Sequence, residues 1–181
     1  MNSSGGKDLF KLLGKFERAQ KMPPVEDWNP EIVNNIDIVI DAQGRWFHEG
    51  GHFDRQDLAR MFASILRREG EEYFLVTPSE KLKIKVKDVP FSIVLMKSET
   101  IDGQQKLTFI TSLGDEVVAS DNNKIEFRTN AAGDNIPYIE VRNRLWGKLN
   151  QSTYYELVSL AEERPNGFFL SSCGSAVKIP S

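Results

Sequence analysis

Two segments of this 181-residue chain carry one pattern at a fixed spacing. Ile179 stands 95 positions after Ile84, and that offset runs ungapped back through the preceding helix-like stretch. It superposes Phe169 on Phe74, Leu170 on Leu75, Lys178 on Lys83 and Ser159 on Ser64. It also pairs Leu157 with Phe62, Leu160 with Ile65, Phe168 with Tyr73 and Val177 with Leu82. Each segment reads as helix, tight turn, strand, short turn, strand. Such self-similarity points to duplication, in which each unit must bury its apolar face against other elements. A groove between duplicated halves is then the expected ligand site, because clefts concentrate where two units meet.

The remaining pattern supplies the elements around these units. Leu9, Phe10, Leu12, Leu13 and Phe16 recur at helical spacing ahead of Pro23-Pro24, which predicts an amphipathic helix covering a core edge. Residues 36–40 and 45–48 flank the Ala42-Gln43-Gly44 turn and predict a hairpin. Asp54 is placed to cap a helix whose apolar stripe is Leu58, Met61, Phe62, Ile65 and Leu66, with Gly70 as its C-cap. Strands are predicted over 73–77 and 81–87, then over 91–98, 106–111, 116–120, 124–129 and 137–142. A helix over 152–163 should stop at Pro165-Asn166-Gly167, and strands over 168–171 and 176–179 close the chain. The expectation is an α+β protein: a tail and helix over 1–23, a first mixed domain over 24–89, and a mostly antiparallel second domain over 90–181.

Composition excludes several function classes. Twenty-three basic residues against twenty-six acidic ones leave a net charge of −3, which argues against bulk nucleic-acid or anionic-membrane binding. A single cysteine, Cys173, excludes an internal disulfide and fits a reducing, cytoplasmic compartment. The longest apolar run, residues 90–96, is far short of the roughly 20 residues needed to span a bilayer. Lys7, Asp8, Lys11 and Lys15 interrupt the apolar positions near the start, unlike the uncharged core of a signal peptide.

Three motifs bear on chemistry. His48-Glu49-Gly50-Gly51-His52 matches the H-E-x-x-H pattern of zinc proteases, in which a helix aligns both histidines on the metal and glutamate serves as base. Gly50-Gly51 costs such a helix about 2 kcal/mol, and Arg45-Trp46-Phe47 before it is strand-like, so a zinc hydrolase is the alternative reading. Lys81, Lys83, Lys85 and Lys87 alternate with Leu82, Ile84 and Val86. That pattern suits an edge strand whose lysines deter pairing, or a basic rail for phosphates or an acidic protein partner. Arg128, Arg142 and Arg144 lie near Tyr138 at strand ends, where guanidinium forks could grip an anion and a ring could stack a base. No glycine-rich phosphate loop, G-x-S-x-G elbow or histidine-paired thiol is present, and no cofactor is implied.

A family resemblance rests on longer blocks. Gly44-x-Trp46-x-His48-x-Gly50, Phe53-x-Arg55 and Met61-Phe62-Ala63-Ser64-Ile65-Leu66-Arg67-Arg68 form the first of them. Tyr73-Phe74-Leu75-Val76-Thr77-Pro78-x-Glu80-Lys81, Asp88-Val89-Pro90-Phe91, Pro137-Tyr138-x-x-Val141-Arg142 and Tyr155-Glu156-Leu157-Val158 continue it. From about residue 41 to 160 the chain resembles the bacterial domain-of-unknown-function family 1285. The resemblance implies two domains with a duplicated motif, the second superficially like the pleckstrin-homology fold. It also implies a ligand, nucleotide-based in character, at the domain interface and a role in signal transduction; no enzymatic activity is implied. His48 belongs to the family pattern and His52 does not, which weakens the zinc reading. The expected site for a small anionic ligand draws Trp46, His48, Arg67, Thr77, Glu80 and Lys81 from the first half and Arg128, Tyr138 and Arg142 from the second. A protein-interaction scaffold using the lysine strand is a further expectation.

Overall fold

The computed structural model describes residues 21–181 together with Lys11, Gly14, Lys15 and Arg18. The expected helix carried by Leu9, Phe10, Leu12, Leu13 and Phe16 lies outside the described residues. The chain forms two compact units, Met1–Val39 with Arg45–Val86, and Ile40–Gly44 with Lys87–Ser181. The fold is α+β, with strands dominating both units.

In the first unit a 3-10 turn (Val25–Asp27) precedes β1 (Ile32–Ile40), β2 (Trp46–His48), β3 (Gly51–His52), helix α1 (Gln56–Ala63), β4 (Leu66–Glu69), β5 (Glu72–Val76) and β6 (Glu80–Val86). The strands make one sheet in the order β3-β2-β1-β6-β5-β4. Asn34 donates to Glu80 near the start of β1 and β6, and the Lys87 amide donates to the Ile40 carbonyl just past their ends. Matching starts and ends set β1 and β6 side by side in the same direction. β6 therefore runs through the interior of the sheet, which corrects the edge-strand expectation for Lys81–Lys87: β1 covers the flank those lysines were expected to guard.

Helix α1 is shorter than its apolar stripe. Arg55, extended and without a side-chain cap, precedes it in place of Asp54. The helix stops at Ala63, where the Ser64 amide and hydroxyl both bond to the Met61 carbonyl, the hydroxyl at 2.6 Å. Leu66, Arg67 and Arg68 then pair with Leu75, Phe74 and Tyr73. The hairpin ladder to the next strand overrides the helical period here. Gly70, φ 60°, belongs to the β4–β5 hairpin turn and not to a helix cap.

The second unit contains β7 (Phe91–Ile101), β8 (Gln104–Thr111), β9 (Glu116–Val118), β10 (Ile125–Thr129), β11 (Asn135–Arg142), β12 (Leu145–Leu149), α2 (Gln151–Ser159), β13 (Glu162–Arg164), β14 (Gly167–Ser172) and β15 (Ser175–Lys178). Its larger sheet runs β10-β11-β12-β7-β8-β9, and β12 is parallel to β7 through Gly147 opposite Phe91. Both six-stranded sheets thus place the first strand of one meander against the last strand of the next. Ile93, Leu107, Phe109, Ile139, Leu145 and Leu157 fill the core of this unit. β12, which the sequence does not predict, needs Gly147: a Cβ there would lie 2.8 Å from Cδ1 of Ile93. Helix α2 is capped by the Asn150 side chain, which accepts from the Thr153 amide at 2.9 Å. It also ends earlier than expected, leaving Glu162–Arg164 to pair with Gly167–Phe169 as β13 against β14.

Candidate functional site

Five of the six candidates of the first unit, all but the exposed His48, are engaged within its fold. Arg67 is 8% exposed and donates to the carbonyls of Val25 (2.7 Å) and Trp28 (2.6 Å), so it ties the 3-10 turn to β4. It also ion-pairs with Glu69, which takes Lys81 at 2.6 Å on its other oxygen. The Lys81 hydrogen bond, aided by Arg67, holds the Glu69 carboxyl below the usual glutamate range despite some desolvation. The Lys81 ammonium sits 4.7 Å from the centre of the Phe74 ring. Thr77 closes its own turn, accepting from the Glu80 amide at 3.1 Å and donating to the Glu80 carbonyl at 3.0 Å.

Trp46 is 2% exposed and packs against Phe53 and Phe62 with ring centroids 6.0 and 6.4 Å away, so its faces are filled by protein. His48-Glu49-Gly50-Gly51-His52 folds as a tight hairpin. Glu49 and Gly50 have φ of 49° and 79°, and His48 stands opposite Gly51. His52 stands opposite Phe47 and meets that ring edge-on at 5.4 Å. Neighbouring strand residues point to opposite faces, so the two histidines project from opposite sides of the hairpin. The single-face geometry that a helical H-E-x-x-H supplies is absent. Among the described residues no group of three His, Cys, Asp or Glu is placed to hold a metal ion.

The second unit brings two of its three candidates together. Glu126 is directly opposite Tyr138, and Tyr138 opposite Lys148, so these share one face of the β10-β11-β12 ribbon with Arg128 and Trp146. The Arg128 guanidinium lies 4.4 Å from the Tyr138 ring centre and 4.7 Å from that of Trp146. Its Nε donates to Glu126 at 2.9 Å. The terminal nitrogens have no protein partner among the described residues. Tyr138 is 6% exposed and donates its hydroxyl to Asp88 at 2.9 Å, while Lys148 approaches the same Asp88 oxygen at 3.5 Å. Burial first, then the Asp88 contact, pushes the Tyr138 phenol up to about 12. Its ring is already occupied by Arg128 and is not free to stack a ligand.

Arg142 lies on the other face. It sits 4.9 Å from the centre of the Phe91 ring and donates to Asp115 at 3.2 Å. Phe91 pairs with Gly147, one residue from Lys148 and therefore opposite in orientation. Burial depresses the Arg142 guanidinium, and Asp115 offsets part of that. Arg128 and Arg142 do not converge.

Beside the Arg128 face opens a groove of about 640 Å³ within the same unit. Ile136, the cross-strand neighbour of Arg128, lines it together with Lys148, Gln43, Asn150, Tyr154 and Tyr155. The Tyr154 and Tyr155 rings stack at 6.1 Å, and Tyr155 is 63% exposed. Trp146, Lys148 and Tyr154 carry no signal in the sequence reading, and Tyr155 enters it only within the family block and not as a site residue. Recognising β12 as a strand would have placed Trp146 and Lys148 on one face.

Comparison with known proteins follows this architecture. Residues 23–89 match the N-terminal domain, and residues 90–179 the C-terminal domain, of the domain of unknown function DUF1285. The chain belongs to the DUF1285 family. A crystal structure of a DUF1285 family protein from Silicibacter pomeroyi DSS-3 is 38% identical, with TM-score 0.81 over 86% of this chain and 85% of that one. A DUF1285 family protein from Shewanella baltica OS155 is 32% identical, with TM-score 0.54 over 67% of this chain and 90% of that one. No curated protein matches the chain. In this DUF1285 protein no helix among the described residues is long and apolar enough to cross a membrane.

Proposed function

We propose that this DUF1285 protein is a binding module without chemistry of its own, and that it captures a small anionic ligand on the Arg128 face of its C-terminal unit. The observation that carries this reading is Arg128 itself. Two rings and Glu126 fix its guanidinium, while its terminal nitrogens have no protein partner among the described residues. A pre-positioned guanidinium loses little freedom on gripping a phosphate or carboxylate, so more of the contact energy appears as affinity. Lys148 adds a second cation at the edge of the groove. The exposed Tyr155 ring offers a platform for a flat group, as a nucleotide-based ligand would require. A module whose output is occupancy alone suits signal transduction.

The test is a melting-temperature screen of nucleotides and phosphorylated metabolites. A native-state ligand at a hundredfold excess over Kd should raise Tm by about 5 °C or more. Arg128→Ala should remove the shift while leaving the unliganded Tm within about 3 °C, and Arg128→Lys should restore only part of it. A screen in which nothing shifts Tm, or in which Arg128→Ala responds like the wild type, ends the proposal.

A further inference from the structure

A second cavity, in the other unit, has a different character. It has a volume of about 550 Å³ and opens between β1, the β2–β3 hairpin and helix α1. Ile36, Ile38, Phe53, Leu58 and Phe62 make its walls. Phe53 and Phe62 are backed by the buried Trp46 ring, so this wall is apolar and packed from behind. The polar side chains at the mouth are Arg55 and His48, with Asp54 beside them, whereas His52 turns to the other side of the hairpin against Phe47. All three are exposed, and the two donors outnumber the single carboxylate. Apolar walls with a donor-rich mouth match a molecule that has an apolar body and an anionic head.

From this cavity we infer a binding site for an apolar carboxylate, an acyl or aryl chain of about ten carbons whose headgroup meets Arg55 and His48. The chain exchanges water contact for Ile36, Leu58 and Phe62, and every CH₂ taken out of water favours binding. The carboxylate remains at the mouth, where the Arg55 fork can take it in two parallel hydrogen bonds. Asp54 opposes the head by like charge, and this sets the sign of one arm of the test.

Calorimetric titration of the full chain with decanoate, below its micellar concentration, tests the site, with decanol as the uncharged control. Decanoate should bind and decanol should bind about tenfold more weakly. Arg55→Ala should bring decanoate down to the decanol level, and Asp54→Asn should tighten it about twofold to threefold. Both residues are exposed, so neither variant endangers folding. Leu58→Asn should weaken decanoate and decanol alike, whereas Arg128→Ala, in the other unit, should change neither. No binding of decanoate, or equal binding of the two compounds unaffected by Arg55→Ala, overturns the inference. So does a concentration-dependent dimer that Leu58→Asp dissolves and decanoate does not, since the groove would then belong to a second copy.

Discussion

The segment α1-β4-β5-β6 and the segment α2-β13-β14-β15 share one backbone and differ in chemistry. The pairs Arg67–Phe74, Arg68–Tyr73 and Glu69–Glu72 reappear 95 residues later as Glu162–Phe169, Glu163–Phe168 and Arg164–Gly167. The next ladder repeats as well, with Phe74–Lys83 and Leu75–Leu82 matched by Phe169–Lys178 and Leu170–Val177. Even the turn after each helix is kept, since the Ile65 amide bonds to the Phe62 carbonyl and Leu160 to Leu157. Side-chain roles have moved on this fixed frame. The ion pair Arg67–Glu69 becomes Glu162–Arg164 with its charges exchanged. The cation over the shared phenylalanine is Lys81 in the first copy and Arg164 in the second. In the first copy the meander is half of a six-stranded sheet, whereas in the second it is a three-stranded sheet of its own, with β13 exposed throughout. Register follows from apolar spacing and turn length, both of which persist; charge and partner do not, so the copies cannot be assumed to share a function.

The sharpest way to break this comparison is to empty the same core position in both copies. Leu75 and Leu170 are equivalent, and both are almost fully buried. Leu170 also lines an open groove of about 300 Å³, so its surroundings can relax into the gap, while Leu75 sits inside the larger sheet. The cost of a large-to-small change depends on that relaxation. Leu75→Ala should lose about 3–4 kcal/mol and Leu170→Ala about 2–3 kcal/mol in urea unfolding. Equal losses, or a larger one at Leu170, would show that the second meander is as deeply integrated as the first.

A smaller effect is expected at the equivalent hydroxyls where the middle strand of each copy gives way to its turn. Thr77 and Ser172 are equivalent, yet Thr77 bonds within its own turn to Glu80. Ser172 accepts from the Leu107 amide at 3.0 Å and donates to the Ala119 carbonyl at 2.7 Å, which joins the meander to β8 and to the segment after β9. Ser172→Ala should cost about 2 kcal/mol, because a buried amide loses its partner, and Thr77→Ala about 1 kcal/mol. Amide exchange at Leu107 should accelerate only in the Ser172 variant.

The same contrast explains what the sequence could reveal. β5, β6 and β8 were legible because alternation and glycine turns are local signals, as at Asp102-Gly103, which joins Ile101 to Gln104. Periodicity overextends both helices; in the first, Phe62, Ile65 and Leu66 keep helical spacing across a turn that leads into the β4–β5 hairpin. β13 carries only Glu162, Glu163 and Arg164, with no apolar residue to announce a strand. β12 hides behind Asn143 and Arg144, which turn at φ 45° and 64° without glycine. At the site, Arg128 and Tyr138 were visible as cation and ring, but not that they would satisfy each other. Alternation from Tyr138 would put Arg142 on the same face; the bulge between Glu140 and Arg142 turns it away.

Acid titration separates the copies by the least energy and the clearest sign. Glu69 has its pKa lowered mainly by Lys81 and then by Arg67, and its counterpart in the second copy is the cation Arg164. A carboxyl whose folded pKa lies below its unfolded value near 4.3 favours folding above that value. The contribution fades as pH falls from about 5 through the depressed folded pKa. Glu69 is partly exposed, so solvent screening keeps the effect below about 1 kcal/mol. Glu69→Gln should therefore flatten part of the loss of stability between about pH 5 and 3, and also lower stability at pH 7. Glu162→Gln, at the exposed exchanged pair, should leave the acid limb within error. If Glu162→Gln flattens it as much as Glu69→Gln, the two ion pairs are energetically alike, and the exchange of charge between the copies has no thermodynamic consequence.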